Sequence, residues 1–74
     1  MSIKFSRHAK KQMIWRLITE QEVKLAINNT DRLESSIHER TNAYKTLEDR
    51  KLKITYKQEG DDIIVITALI KGAK

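Results

Sequence analysis

F-S-R-H-A-K-K-Q-M-I-W-R-L-I-T-E-Q-E-V, residues Phe5 to Val23, is the stretch whose reading decides this fold, because it holds the starts of two helices. Ser6 fits an N-cap, its hydroxyl accepting from first-turn amides. At about 100° per residue, Ala9, Met13 and Leu17 fall on one side, which predicts a helix from about Arg7 to Leu17 with those three as its core stripe. His8, Gln12 and Trp15 line one flank of the stripe, with Arg16 between flank and core. Arg7, Lys10, Lys11 and Ile14 point outward. Thr19 and Glu22 then form a capping box, with Ile18 and Val23 at the two positions of a hydrophobic staple, so a second helix begins at once. Val23, Ala26 and Ile27 give it a buried face. Asn28, Asn29 and Thr30 end it, since asparagine tolerates the left-handed conformation that closes helices.

On either side of these helices the pattern changes to the two-residue period of strands. Met1 to Phe5 alternates Ile3 and Phe5 with Ser2 and Lys4 and reads as a short first strand. A strand is expected from Arg32 to His38, with Leu33, Ser35 and Ile37 on one face, and another from Ala43 to Leu47. After a turn at Glu48, Asp49 and Arg50, the run Lys51 to Lys57 alternates Leu52, Ile54 and Tyr56 with Lys51, Lys53, Thr55 and Lys57, giving one core face and one basic face. Gln58 to Asp62, containing Gly60, makes a hairpin loop in which Gly60 and Asp61 suit positive backbone angles. Ile63 to Ile70 is apolar on both faces apart from Thr67, as in a strand covered on both sides or one used at a dimer interface. The expected fold class is α+β: one domain over residues 1–74, an N-terminal strand, then two short helices packed on an antiparallel sheet of about four strands, in the order β-α-α-β-β-β-β.

Composition bounds what such a domain does. Seventy-four residues bury only about 60–65% of their unfolded surface, so the core is thin. The absence of cysteine excludes disulfides and thiolate metal sites and suits a reducing cytoplasm. The longest apolar run, Ile63 to Ile66, is far below the roughly 18–20 residues of a membrane span, and no signal-peptide core is present, so a cytoplasmic protein without membrane contact is expected. The net charge of +5 is unevenly placed: Lys4, Arg7, Lys10, Lys11 and Arg16 stand in a segment with no acid, while from Leu17 onward ten bases balance ten acids. A field polarised in this way favours an anionic partner such as RNA, DNA or an acidic protein segment.

The usual catalytic and cofactor motifs are missing. Gly60 and Gly72 are too far apart for a phosphate-cradling loop. His8 and His38 lack supporting ligands at metal spacing, so no metal or cofactor is expected. Ser6, Ser35 and Ser36 have no histidine at a telling distance. The carboxylate pairs Glu48–Asp49 and Asp61–Asp62 fall in predicted turns. What remains is a set suited to holding a phosphate and moving a proton: His8, Arg16, Tyr44, Lys45, Arg50, Lys53 and Tyr56. RNA cleavage through the RNA's own 2′-hydroxyl needs no more, since the protein supplies only acid–base groups and cations. In that role His8 is the acid or base, Arg16 with Arg50 or Lys53 holds the phosphate, and Tyr56 is a second proton carrier. Arg7, Lys10, Lys11, Gln12, Trp15, Lys45 and Lys53 are the candidate RNA contacts. Several have a plainer reading: His8 and Trp15 as packing residues, and Tyr56, which shares a face with Leu52 and Ile54, as core.

The quoted segment resembles the opening of a family of small prokaryotic domains of unknown function, whose pattern is histidine-alanine at a helix start, then arginine-methionine, then arginine, then Ile-Thr/Ser-x-x-Glu-Val. Ile63 to Ala68, with Leu52 to Tyr56 before it, resembles the same family's final hairpin. The resemblance implies a fold similar to the RelE/ParE and BrnT toxins, RNA binding or metal-independent ribonuclease activity, and pairing with an acidic antitoxin-like protein. The matching positions are His8, Ala9, Met13 and Arg16, while Gln12 stands where the family usually has arginine. The residues themselves leave two further functions open. One is a non-catalytic module for nucleic acid or an acidic peptide, and the other is a homodimeric structural or interaction protein joined through its last strand.

Overall fold

The computed structural model describes residues 2–48 and 50–73; Met1 and Asp49, expected in the first strand and in the turn before Lys51, lie outside the described residues. The chain runs β1 (Ser2–Phe5), α1 (Arg7–Arg16), α2 (Glu20–Asn28), β2 (Arg32–Ser35), β3 (Thr41–Leu47), β4 (Arg50–Glu59) and β5 (Asp62–Ala73). The α+β class and the element order are as expected. The sheet is not four antiparallel strands, however: it has five, in the order β1-β5-β4-β3-β2, with β1 parallel to β5. The chain leaves β1 through the helices, builds the β2–β5 meander, and returns β5 to the inner side of β1.

The helices cover one face. Ala9 and Met13 from α1, Ile18 from the corner, and Val23 and Ala26 from α2 meet Leu52, Ile54, Val65 and Ala68 from β4 and β5, with Ile3, Phe5, Ile27, Leu47, Tyr56 and Ile70 packed around them. Leu17 is not part of this core as expected. The helix stops at Arg16, and Leu17 turns into the left-handed region (φ 57°) with its side chain 81% exposed. The Leu17 and Ile18 amides donate to the carbonyls of Ile14 and Met13, a Schellman closure in which Ile18 replaces Leu17 against the core. The capping box of α2 is present in full, but its end differs from expectation: Asn29 closes it at φ −136°, not in the left-handed region.

β2 is shorter than its alternation suggested. It ends at Ser35, because His38 (φ 57°) and Glu39 (φ 60°) both take left-handed backbone in the turn to β3. At the β4–β5 hairpin Gly60 has φ 62° while Asp61 does not share the positive sign expected of it. β5 is an inner strand along its first half, and only one of its faces lies under helices. Its apolar outer face is half-buried within the sheet, and the register sets Ile64 between Lys4 and Lys57.

Candidate nucleic-acid interface

α1 is held against β5 by polar contacts that β1 makes necessary. The β1–β5 ladder stops at Phe5 opposite Val65, so the outer edge of β5 continues without a strand beside it. The Ser6 amide donates to the Val65 carbonyl (2.9 Å), its hydroxyl donates to the Ile66 carbonyl (3.2 Å), and the same oxygen accepts from the Ala9 amide (3.0 Å). Two turns along, the Ala68 amide, which would otherwise be orphaned, donates to Gln12 Oε1 (3.1 Å). Gln12 is thus an edge cap, a task that arginine, which has no acceptor, could not perform.

Anchored in this way, α1 turns its cations to solvent. Arg7, Lys10 and Lys11 are exposed and make no ion pair among the described residues. His8 is exposed beside them. Trp15 is 78% exposed, so it is not a core residue, and the Arg16 guanidinium lies 4.8 Å from its ring centroid. Arg16 Nη1 is buried with no hydrogen-bond partner among the described residues. No acid stands in the first turn, and Arg16 in the last turn complements the negative end of the helix dipole.

The other candidate residues lie elsewhere. Arg50, at the start of β4, donates to the Leu17 carbonyl (3.2 Å) and pairs with Glu22, tying the sheet to the corner between the helices. Burial works against ionisation of Glu22, but the Thr19 amide and the Arg50 guanidinium outweigh it and hold the carboxyl below its ordinary value. Lys45 pairs with Asp31 (3.3 Å), whose other oxygen accepts from the Thr46 amide (2.9 Å). That amide, with Lys45, keeps the Asp31 carboxyl low. Tyr56 is half-buried against the core. Lys53 alone of this group faces the open side of the sheet, in register with Tyr44.

On that open side the register assembles a polar network that alternation along single strands does not reveal. The Tyr44 hydroxyl donates to Glu34 Oε1 (2.8 Å), Asn42 Nδ2 reaches the same oxygen at 3.5 Å, and the Thr55 hydroxyl donates to Asn42 Oδ1 (2.8 Å). Asn42 is the one buried polar residue of the described set, 7% exposed. The Tyr44 hydroxyl, and after it Asn42, hold the Glu34 carboxyl low, and that bond in turn raises the Tyr44 phenol. Arg32 and Lys71 stand over the Tyr44 ring at 5.3 and 5.4 Å. Tyr44 and Lys53 were legible as candidates, whereas Arg32, Glu34, Asn42 and Lys71 join them only through cross-strand pairing.

These features define a small α+β domain with one helix-covered sheet face and a basic, aromatic-bearing helix at the sheet's edge. The chain belongs to the DUF4258 family, a domain of unknown function whose pattern matches residues 5–70. No curated protein and no solved structure matches it. Among the described residues no helix is long and apolar enough to cross a membrane, and no cluster of three or more His, Cys, Asp or Glu is placed to hold a metal ion.

Proposed function

We propose that this domain binds RNA through α1, as a toxin-type protein similar to RelE and BrnT. The observation that carries the reading is the row of Arg7, Lys10 and Lys11, in a first turn without acid and with no ion pair among the described residues, beside an exposed Trp15. Cations at that spacing neutralise successive phosphates, and an indole with a guanidinium against it offers a face for an unpaired base. Cleavage is the narrower form of this reading. It rests on His8 and Arg16, which share a helix flank but lie about 12 Å apart along the axis at 1.5 Å per residue, a span that suits neighbouring nucleotides better than one phosphorus. Arg50 and Tyr56, engaged with Glu22 and the core, add little to it.

Titration of labelled single-stranded RNA at increasing salt tests the reading. Binding is expected to weaken steeply, and Lys10→Ala and Lys11→Ala each to lower the log–log slope by about one. RNA left unshifted at low salt overturns it. Growth arrest on induced expression, relieved by the same substitutions, supports the toxin-type part, and intact RNA after incubation confines the activity to binding.

One observation favours a second reading. Ile14, Trp15 and Leu17 are each more than three-quarters exposed beside these cations, and phosphates have no use for Ile14 or Leu17. An acidic protein segment with an apolar face fits that surface, as an antitoxin-like partner would.

A further inference from the structure

We propose that two copies of this chain associate through β2, pairing antiparallel about a two-fold axis at Leu33 to make one continuous ten-stranded sheet. The expectation of a dimer through the last strand meets an obstacle in the fold: β5 has β1 along its first half and α1, through Gln12, beside Ala68. A free edge lies at the other end of the sheet, where β2 pairs only with β3 and all four of its residues are exposed.

Three features of this edge suit a second copy. The first is backbone direction. The Ser36 amide donates to the Arg40 carbonyl (2.8 Å) in the β2–β3 ladder, so by the alternation of antiparallel pairing the even-numbered residues face β3. Leu33 and Ser35 therefore turn their amides and carbonyls outward, as an isologous pair centred on Leu33 requires.

The second feature is charge. With Leu33 opposite its own counterpart, Arg32 of each copy stands opposite Glu34 of the other, giving two cross-strand ion pairs on the open face. Sliding the register by one residue exchanges the two faces of the sheet, and sliding it by two sets Arg32 against Arg32 or Glu34 against Glu34. Charge therefore selects a single register. In the single chain these two residues meet each other in an exposed contact at 3.3 Å within their own strand, while Glu34 also accepts from Tyr44 and Asn42 through its other oxygen.

The third is local balance. The excess of +5 lies in the first sixteen residues at the opposite edge, whereas Asp31 to Arg40 holds Asp31, Glu34 and Glu39 against Arg32 and Arg40, so the net charge does not oppose association here. On the helix side the pairing brings the two Leu33 side chains, each 55% exposed, together and shields them. Four residues a side make a weak dimer, visible at high concentration.

Sedimentation across a wide dilution series of the purified chain tests the proposal, with circular dichroism confirming that each variant folds. The wild type is expected to pass from monomer to dimer. Arg32→Glu, which turns both ion pairs into repulsions, and Leu33→Asp are each expected to weaken association by about tenfold. The exchange Arg32→Glu with Glu34→Arg restores the pairs and is expected to restore the dimer relative to Arg32→Glu alone. A monomer at every concentration overturns the proposal, as does a dimer indifferent to Leu33→Asp. Leu33 is exposed, so its substitution tests the interface without endangering the fold. None of these outcomes bears on RNA binding by α1.

Discussion

Glu22 carries two attachments at once. Its side chain accepts from the Thr19 amide (2.9 Å) to complete the capping box, and it pairs with Arg50 across to β4. Only the first of these is legible along the chain, because the Thr-x-x-Glu spacing is local whereas Arg50 is 28 residues away. Arg50 therefore reads as a free cation until the fold commits it. A carboxyl held below its ordinary value of 4.5 stabilises the fold fully above that pH, and the contribution is lost as pH falls through the lowered folded value. Urea unfolding of Glu22→Gln should show a loss of about 1–2 kcal/mol at neutral pH. The deficit should close as the wild type is acidified through the lowered folded value, because protonation removes the same interactions there. Gln12 teaches a related point: along the chain it reads as a gap in a row of charges, yet its carbonyl oxygen serves the Ala68 amide, which lies beyond the end of β1.

At the scale of elements, the features visible in the sequence were those set by neighbours within one turn or one strand. The α2 start and the alternation of Leu52, Ile54 and Tyr56 appear as read, since capping and pleating need only nearby residues. Helix and strand ends were less legible where an ordinary side chain occupies left-handed backbone. Leu17, His38 and Glu39 all do so, and none carries the glycine or asparagine signal that would announce it. The Ile37–Arg40 turn, with the Arg40 amide donating to the Ile37 carbonyl at 3.2 Å and both central φ angles positive, has the type I′ signs that favour Asn-Gly. Replacing His38 with Asn and Glu39 with Gly should therefore raise stability by about 1–2 kcal/mol, measured as a higher denaturation midpoint with an unchanged slope. A drop in stability would mean that the two native side chains make contacts worth more than their backbone strain.

For the whole molecule, the core is small enough for one residue to matter. At about 0.05–0.15 kcal/mol per residue, a chain of this length has a stability on the order of 4–11 kcal/mol. Leu52, fully buried in the core cluster, should cost about 2–5 kcal/mol when cut to alanine, a large share of that total, and the loss would appear as a much lower urea midpoint. What the sequence concealed at this scale was pairing. Strand periodicity assigns faces but not neighbours, so neither the parallel β1–β5 contact nor the row that joins Arg32, Tyr44 and Lys53 could be read from it. The β1–β5 contact has a further effect, on timing. Ser6, which fixes the start of the basic helix, bonds to Ile66, 60 residues away. During synthesis α1 leaves the ribosome long before the strand that docks it, and non-local pairing of this kind forms late and slowly. The cations of α1 are therefore made early but gain a fixed orientation only after β5 emerges, so the nascent chain carries the charge of this surface before it has the shape.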